Sequence, residues 1–285
     1  MNLLLTGSSG FIGSYFQKNY CNKYDIESFS FLKDDLESLN LMGIDVIVHL
    51  SALVHQMGGA AKEDYQRINV DNTLVLAQKA KQHGVKQFIF MSTVKVYGEE
   101  NNKAYDETTK CEPIDDYGIS KLEAENRLRE MEDENFTVSI IRTPIVYGYG
   151  VKANIQNLIK LIQKVPILPF AKIDNRRSMV YIGNLCALIE KLCETRSGGI
   201  FLAGDDQAIS TSKLIELIAY ELHSNINLVK IPFFGTLLKS LKPSFYKRLY
   251  ESLEVDNSHT KKVLNYTNPY NIEEGIHFMI YGENK

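Results

Sequence analysis

A tyrosine and a lysine four residues apart are the residues of this chain that most directly suggest catalysis. Tyr117 and Lys121 stand in the segment YGISK. Because an α-helix turns once in about 3.6 residues, both side chains would project from one helix face. A phenol has a pKa of about 10, and a nearby ammonium favours its ionised form. The pair predicts proton transfer at a substrate oxygen, with Lys121 lowering the pKa of Tyr117.

Two hydroxyl side chains, Ser92 and Thr93, close the apolar run FIFMST. A hydroxyl at the end of a strand can polarise the same substrate oxygen that the tyrosine protonates. We expect Thr93 to take this role. The predicted catalytic residues are therefore Thr93, Tyr117 and Lys121.

A glycine-rich loop, TGSSGFIG, occupies residues 6–13 between an apolar strand pattern and a helical pattern. At such a turn the backbone can approach a pyrophosphate, whose charge is met by the helix N-terminus. One glycine would allow the tight turn, a second the close approach and a third the packing of helix on strand. The residues expected to contact the dinucleotide here are Gly7, Ser9, Gly10, Phe11 and Ile12, with Gly13 as the packing glycine.

The end of the second strand decides between NAD and NADP, because a carboxylate there binds the ribose 2′-hydroxyl and repels a 2′-phosphate. Ser28, Ser30 and Lys33 lie near that place. Hydroxyls and an ammonium favour NADP(H). NAD(H) stays possible, since a small shift in register would bring Asp34 or Asp35 to the deciding position.

The first half of the chain alternates short apolar runs with segments of helical period, which is typical of parallel strands joined by crossover helices. The pattern predicts an α/β fold with a doubly wound parallel (Rossmann) sheet, formed by residues 1–150. Residues 151–285 would form mainly a smaller substrate lid, while residues 199–203 return to the sheet as a late strand. The predicted strands of the first half are residues 3–6, 26–31, 46–50, 88–92 and 138–142.

Composition excludes several classes of protein. The formal net charge is -3 and the pI about 6.1. The overall charge therefore predicts binding neither to nucleic acid nor to an acidic membrane. The four cysteines are widely spaced and the six histidines scattered, so no metal site is predicted. The apolar start MNLLLTG runs straight into the glycine loop, which favours a cytoplasmic protein without membrane insertion.

Taken together, these motifs resemble the extended short-chain dehydrogenase/reductases, in their nucleotide-sugar epimerase/dehydratase branch. The resemblance runs nearly end to end, through TGSSGFIG, HLSA (residues 49–52), INVDNT (68–73), MSTVKVYG, YGISK and RTPIVYG (142–148). It implies that Thr93, Tyr117 and Lys121 form the catalytic triad, with Lys121 also bonding the nicotinamide ribose. It further implies dinucleotide-site positions for Leu50, Ser51, Ala52 and Asn69, the last supporting the central active-site helix.

The resemblance also narrows the reaction. Related dehydratases follow the strand-terminal threonine with an acidic pair, whereas this chain has Val94 and Lys95. The enzymes that make GDP-fucose use a cysteine at the position of Val94. The remaining pattern is most similar to bacterial 4-reductases of UDP-4-keto-6-deoxy-N-acetylhexosamines, and reduction with NAD(P)H is the prediction. A UDP-sugar 4-epimerase with bound NAD is the alternative, and a non-catalytic dinucleotide-binding regulator is the alternative from another class.

The UDP-sugar substrate needs cations and amides in the lid. The resemblance places Arg177 at the diphosphate and Asn154 beside it, and leaves Arg176 open. His55 and Lys95 would border the sugar, because both follow strands that end at the cleft. Relatives of this kind often pair through the helix that carries YxxxK, so a homodimer is expected.

Overall fold

The apolar runs of the chain build one central sheet. The computed structural model describes residues 1–54, 60–98 and 103–283, and within them six parallel strands are joined edge to edge. Their order across the sheet is β2 (Asp25–Phe29), β1 (Asn2–Thr6), β3 (Val46–His49), β4 (Gln87–Thr93), β5 (Thr137–Thr143) and β9 (Gly199–Leu202). The late strand thus returns to the sheet beside β5.

Helices cover both faces of this sheet. They are α1 (Phe11–Tyr20), α3 (Asn72–Gln82), α4 (Asp116–Glu130) and α6 (Ile182–Thr195). Leu3 and Leu5 of β1 belong to the core that includes α1 and α6, whereas Leu4 belongs to the core that includes α3 and α4. Alternate residues of a strand point to opposite faces, so both must be apolar here. The predicted doubly wound α/β fold is confirmed.

The strand order reverses at β1, since β2 lies on one side of it and β3 on the other. A crevice opens at such a switch point, beyond the carboxyl ends of the strands. The glycine loop follows β1 directly, and the segment after β3 borders the same crevice. Strand β4 ends at Thr93 on the same edge, because all six strands are parallel.

Strand β2 is shorter than the predicted residues 26–31. It ends at Phe29, because the Ser30 carbonyl accepts the backbone N–H groups of Lys33 (2.9 Å) and Asp34 (2.8 Å). A turn closed in this way takes residue 30 out of the sheet ladder.

Residues 62–82 are helical throughout, but the middle of the segment is π-helical and the two ends are α-helical. The segment runs through α2 (Lys62–Tyr65), a π-helical stretch (Gln66–Asp71) and α3. Wider π-helical turns are frequent at functional sites. The π-helical stretch contains Asn69 and packs against α4.

The second half supplies the remaining elements. Two short parallel pairs, β6 with β8 and β7 with β10, stand outside the main sheet. No helix within the described residues has the length and apolarity needed to cross a membrane. The bounds are β6 (Ile145–Tyr147), α5 (Ala153–Lys164), β7 (Ile167–Leu168), β8 (Met179–Tyr181), α7 (Thr211–Glu221), β10 (Asn227–Leu228), α8 (Phe234–Leu241), α9 (Pro243–Tyr250), α10 (Ser258–Leu264) and α11 (Ile272–Tyr281).

Candidate active site

The glycine loop leaves no room for side chains at two of its glycines. Gly7 has φ +71°, and a Cβ there would lie 2.9 Å from the Leu50 carbonyl carbon and the Ser51 nitrogen. A Cβ on Gly13 would lie 2.2 Å from the Gly7 carbonyl oxygen. The Gly10 N–H donates to that oxygen (2.9 Å), which tightens the turn into α1. This cradle fits a dinucleotide, since only bare backbone lets a pyrophosphate approach a helix N-terminus so closely.

The other expected dinucleotide contacts frame this cradle. Ser9 is exposed at the tip of the loop, and Phe11 and Ile12 begin α1. Leu50, Ser51 and Ala52 follow β3 and are partly exposed.

A buried chain of hydrogen bonds ties the cradle to the rest of the site. The Ser51 N–H donates to Thr6 Oγ1 (3.1 Å), which lies 2.8 Å from Nδ1 of His49. On the other side of the ring, Nε2 lies 3.0 Å from Thr73 Oγ1, whose hydroxyl donates to the Asn69 carbonyl. Because the Thr73 hydrogen is used there, Nε2 of His49 donates to Thr73 and Nδ1 accepts from Thr6.

His49 fits this position only as a neutral ring. Burial, with a further contribution from the Lys121 charge, lowers the pKa of His49 to about 3. A neutral imidazole donates at one nitrogen and accepts at the other, as the two threonines require. Sequence analysis assigned His49 no role beyond its place in HLSA, although a histidine inside an apolar strand is a signal that could have pointed to it.

Asn69 connects the same network to helix α4. Its Oδ1 accepts the Leu53 N–H (2.8 Å), and its Nδ2 donates to the Leu53 carbonyl (3.0 Å) and to Ser120 Oγ (3.0 Å). Ser120 in turn donates to the Tyr117 carbonyl (2.8 Å). The Asn69 side chain therefore holds the loop after β3 and the first turns of α4 in place, which is the supporting role expected of it.

Thr93 and Tyr117 meet at the end of β4. The Tyr117 phenol faces the Thr93 side chain. Burial and the Asp115 carboxylate raise the pKa of Tyr117, while the nearby Thr93 side chain lowers it. The net direction is upward, so the expected acidification by Lys121 does not dominate in the structure.

Lys121 is buried one turn further along α4. Its Nζ lies 4.0 Å from the centroid of the Phe90 ring, and its residue exposure is 2%. Burial lowers the pKa of Lys121 to about 7, against a smaller raising effect of Glu125. Removal from water disfavours the charged form of Lys121.

Ser92 points into the protein rather than toward Tyr117. Its hydroxyl donates to the Glu125 carboxylate of α4, which also pairs with the Arg142 guanidinium of β5 (2.5 Å). This ion pair is buried and fully hydrogen-bonded, with the guanidinium 4.7 Å from the Tyr97 ring centroid. Of the two hydroxyls considered from the sequence, the structure brings only Thr93 to the tyrosine.

Lys95 lies beside the catalytic pair and forms an ion pair with Asp115. Its backbone N–H donates to Thr93 Oγ1 (3.3 Å). Asp115 is also the N-cap of α4, where its Oδ1 accepts the Gly118 N–H (2.7 Å). Sequence analysis assigned Asp115 no role, although an aspartate just before a helical pattern is a typical N-cap signal.

A carboxylate does stand at the end of β2. The Ser30 N–H donates to Asp34 Oδ2 (2.8 Å), which folds this side chain back onto the turn. Lys33 is exposed in the same turn. The residues that favoured NADP(H) thus share the turn with the aspartate that keeps NAD(H) possible.

The lid contains a cavity of about 190 Å³ with a cationic end. Asn154, Arg177 and Arg248 line that end, and Arg248 Nη1 lies 3.2 Å from Asn154 Oδ1. Burial lowers the pKa of Arg177, the Glu251 carboxylate raises it and Arg248 lowers it. Two adjacent guanidinium groups repel each other, and an anion between them would relieve the repulsion.

The remainder of the cavity is largely apolar, which suits a flat aromatic ring. Its walls include Ile145, Leu158, Phe170, Met179, Phe245 and Leu249. Arg176 turns outward instead and makes two 2.6 Å contacts with Glu254. The sequence did not single out Arg248, because it lies some 70 residues after Arg177 and no local pattern marks it.

His55 lies outside the described residues. The structure therefore places four of the five expected substrate residues: Thr93 and Lys95 beside Tyr117, and Asn154 with Arg177 in the lid cavity.

The profile of the NAD dependent epimerase/dehydratase family matches residues 3–204. The chain belongs to this family. A curated UDP-glucose 4-epimerase of Vibrio cholerae is 35% identical, over 96% of this chain and 93% of that protein. The family resemblance inferred from the motifs is confirmed.

Solved structures with the same fold include two epimerases. One is a UDP-N-acetylglucosamine 4-epimerase from Methanobrevibacter ruminantium M1 in complex with UDP-N-acetylmuramic acid, with TM-score 0.81 and 20% identity over 99% of this chain and 97% of that one. The other is a UDP-glucuronic acid 4-epimerase from Bacillus cereus in complex with NAD, with TM-score 0.78 and 21% identity over 99% and 98% of the two chains. At these identities the likeness concerns the fold.

Proposed function

We propose that this family member is a UDP-sugar 4-epimerase that keeps its NAD bound through the reaction. The observation that carries the proposal is the placement of Tyr117 beside Thr93 at the sheet edge that also holds the glycine cradle. An enzyme that oxidises and reduces the same carbon needs one group able to remove a proton and return it.

The Vibrio cholerae relative supports epimerisation over the predicted reduction, because it is similar along nearly its whole length and carries an epimerase name. Asp34 supports NAD, since its carboxylate at the Ser30 N–H adds negative charge to the turn after β2. Val94 and Lys95, which follow Thr93, give no acidic pair for dehydration.

The proposed mechanism assigns tasks to Tyr117 and Thr93. Tyr117 removes the proton of the sugar 4-hydroxyl and later returns it to the C4 oxygen. Thr93, beside the phenol, holds the sugar oxygen in line. NAD held by the glycine cradle would supply reversible hydride transfer at C4, and the 4-epimer would form when the hydride returns to the opposite face of the ring.

The lid would hold the diphosphate while the oxidised sugar turns over. Arg177 and Arg248 provide forked donors at one end of the cavity, and its apolar walls accept the uracil ring. Because the anchor lies in the lid and the chemistry at the sheet edge, the oxidised sugar could turn either face toward the dinucleotide site without release of the nucleotide.

Reduction of a UDP-4-keto-6-deoxy-N-acetylhexosamine is the second candidate. Exposed Lys33 in the turn after β2 favours it, because an ammonium there can meet the 2′-phosphate of NADPH. A reductase must exchange its dinucleotide at every turnover, whereas an epimerase need not.

One experiment separates the two candidates. Purified protein is incubated with UDP-glucose or UDP-N-acetylglucosamine without added dinucleotide, and the products are identified by NMR. Epimerisation gives the 4-epimer of either sugar. A reductase gives no product under these conditions and instead consumes NADPH when UDP-4-keto-6-deoxy-N-acetylglucosamine is supplied.

A further inference from the structure

The helical hairpin of α8 and α9 exposes a stripe of large apolar side chains. Phe233, Leu237 and Leu241 follow one another at four-residue intervals and are 85%, 57% and 71% exposed. This spacing places them along one face of α8. Ile231 extends the exposed apolar surface at one end, and the partly exposed Phe245, which also lines the lid cavity, borders it at the other.

The opposite side of the hairpin is packed against the lid. The Phe234 ring lies 6.2 Å from the Phe170 ring, between centroids, and Leu249 and Tyr250 of α9 pack against the same core. Helix α8 thus has a face packed on the protein and an apolar face turned to solvent. Large apolar side chains kept exposed beside a packed face indicate a binding surface.

The charge around this stripe differs from that of the whole chain. Residues 230–250 contain five of the 32 Lys and Arg residues and none of the 35 Asp and Glu residues. Lys230, Lys239 and Lys242 are exposed, and Lys247 is partly exposed. The chain as a whole has net charge -3, so the positive charge is local to this surface.

We propose that this hairpin surface, residues 230–247, docks on an anionic lipid bilayer. Aromatic and leucine side chains enter the boundary between headgroups and acyl chains, and flanking lysines meet lipid phosphates. Both helices have eight residues and lie in the plane of the interface. A second copy of this chain is disfavoured as occupant, because a two-fold contact would oppose the lysines of both copies.

The hairpin surface lies next to the lid cavity, so docking would bring the bilayer close to the proposed nucleotide site. Helix α9 carries the exposed stripe's neighbour Phe245, and it also supplies Arg248 and Leu249 to the lid cavity. A bilayer held against the hairpin therefore lies next to the element that binds the nucleotide. The enzyme would work at the membrane surface without crossing it.

Vesicle co-sedimentation tests the proposal. The full-length protein is mixed with vesicles of phosphatidylglycerol and phosphatidylethanolamine, or of phosphatidylcholine alone, at 50 mM and 500 mM salt. We expect binding to the anionic vesicles at low salt, at least about tenfold weaker binding at high salt, and little binding to phosphatidylcholine.

Two matched double variants locate the contact. Leu237→Glu with Leu241→Glu should weaken binding to the anionic vesicles by more than about tenfold. Met42→Glu with Val263→Glu adds the same charges at residues that are 83% and 52% exposed elsewhere, and should bind like wild type. Circular dichroism and thermal unfolding check that both variants are folded.

Three results would overturn the proposal. In the first, the wild-type protein fails to bind anionic vesicles at low salt. In the second, both double variants lose binding equally. In the third, the wild-type protein is a dimer that binds no vesicles and that dissociates in the Leu237/Leu241 variant. The last result would assign the surface to a second copy. None of them depends on whether the protein is an epimerase or a reductase.

Discussion

The glycine loop and the lid cavity would both bind phosphate groups, but they are built by opposite means. At the loop, the glycines have no side chains, so a phosphate could approach the backbone N–H groups and the helix N-terminus. In the lid, Asn154, Arg177 and Arg248 converge from three distant parts of the chain to make a cationic end. The loop is encoded within eight consecutive residues, whereas the lid site exists only after folding.

This difference predicts different kinds of damage. A change in the loop should displace backbone and remove the dinucleotide. A change in the lid should remove one charge and weaken the sugar nucleotide alone. Between them stands the Thr93 and Tyr117 pair, whose loss should leave both binding sites intact.

Replacing Tyr117 by Phe should have the largest effect on turnover. It removes the proton carrier and keeps the ring, so kcat should fall by about 10²- to 10⁴-fold. Bound dinucleotide, measured after acid release, and UDP-sugar affinity, measured by calorimetry, should stay within about twofold of wild type. Turnover near the wild-type rate would show that another group carries the proton.

Gly13→Ala should break the loop. The added Cβ would lie 2.2 Å from the Gly7 carbonyl oxygen, so the turn must move, at a cost of about 1–3 kcal/mol of stability. We expect at least a tenfold loss of dinucleotide affinity by titration. Gly235→Ala is the control, because a Cβ there has its closest neighbour at 3.5 Å. If the Gly13 variant bound dinucleotide normally, the backbone cradle would not be the binding site.

Arg177→Met and Arg248→Met should weaken the lid alone. Each removes one charged donor from the cavity, which is worth about 1.5–3 kcal/mol, or roughly 10- to 100-fold in KM for the UDP-sugar. Arg176→Met should change KM less than about twofold, because Arg176 pairs with Glu254 outside the cavity. Dinucleotide content should not change in any of the three. An equal effect of all three variants would mean that general surface charge, and not the cavity, attracts the nucleotide.

The smallest expected effect concerns the pH profile. The Asp115 carboxylate raises the pKa of Tyr117, and Lys95 pairs with that carboxylate. Asp115→Asn keeps an N-cap oxygen but removes the charge, so the pH at which kcat/KM rises should move down by about 0.5–1 unit. Lys95→Met leaves the carboxylate uncompensated and should move it up by a similar amount. Shifts of the same sign in both variants would contradict this assignment.

The first half of the fold was predicted well from the sequence. Each of its strands and crossover helices has a distinct local periodicity of apolar residues. The glycine loop and the Tyr117 and Lys121 pair were found for the same reason, since their spacing within one turn is visible in the chain. The early end of β2 was missed, because it depends on the closed turn at Ser30.

The part of the chain outside the main sheet was predicted only in outline. Its strands are two or three residues long, too short for an alternating pattern to show. Arg248 reaches the cavity only through the packing of α9, and the role of His49 depends on two threonines from other elements. Contacts that join distant segments leave no trace in local spacing.

The fate of the hydrogen at C4 tests the central claim most directly. UDP-glucose deuterated at C4 is incubated with the purified protein without added dinucleotide, and the product is analysed by mass spectrometry and NMR. The proposed reaction predicts UDP-galactose that keeps its deuterium at C4, because hydride leaves and returns within one site. Product with solvent hydrogen at C4, or no product until a reduced dinucleotide and a keto-sugar are supplied, would contradict it.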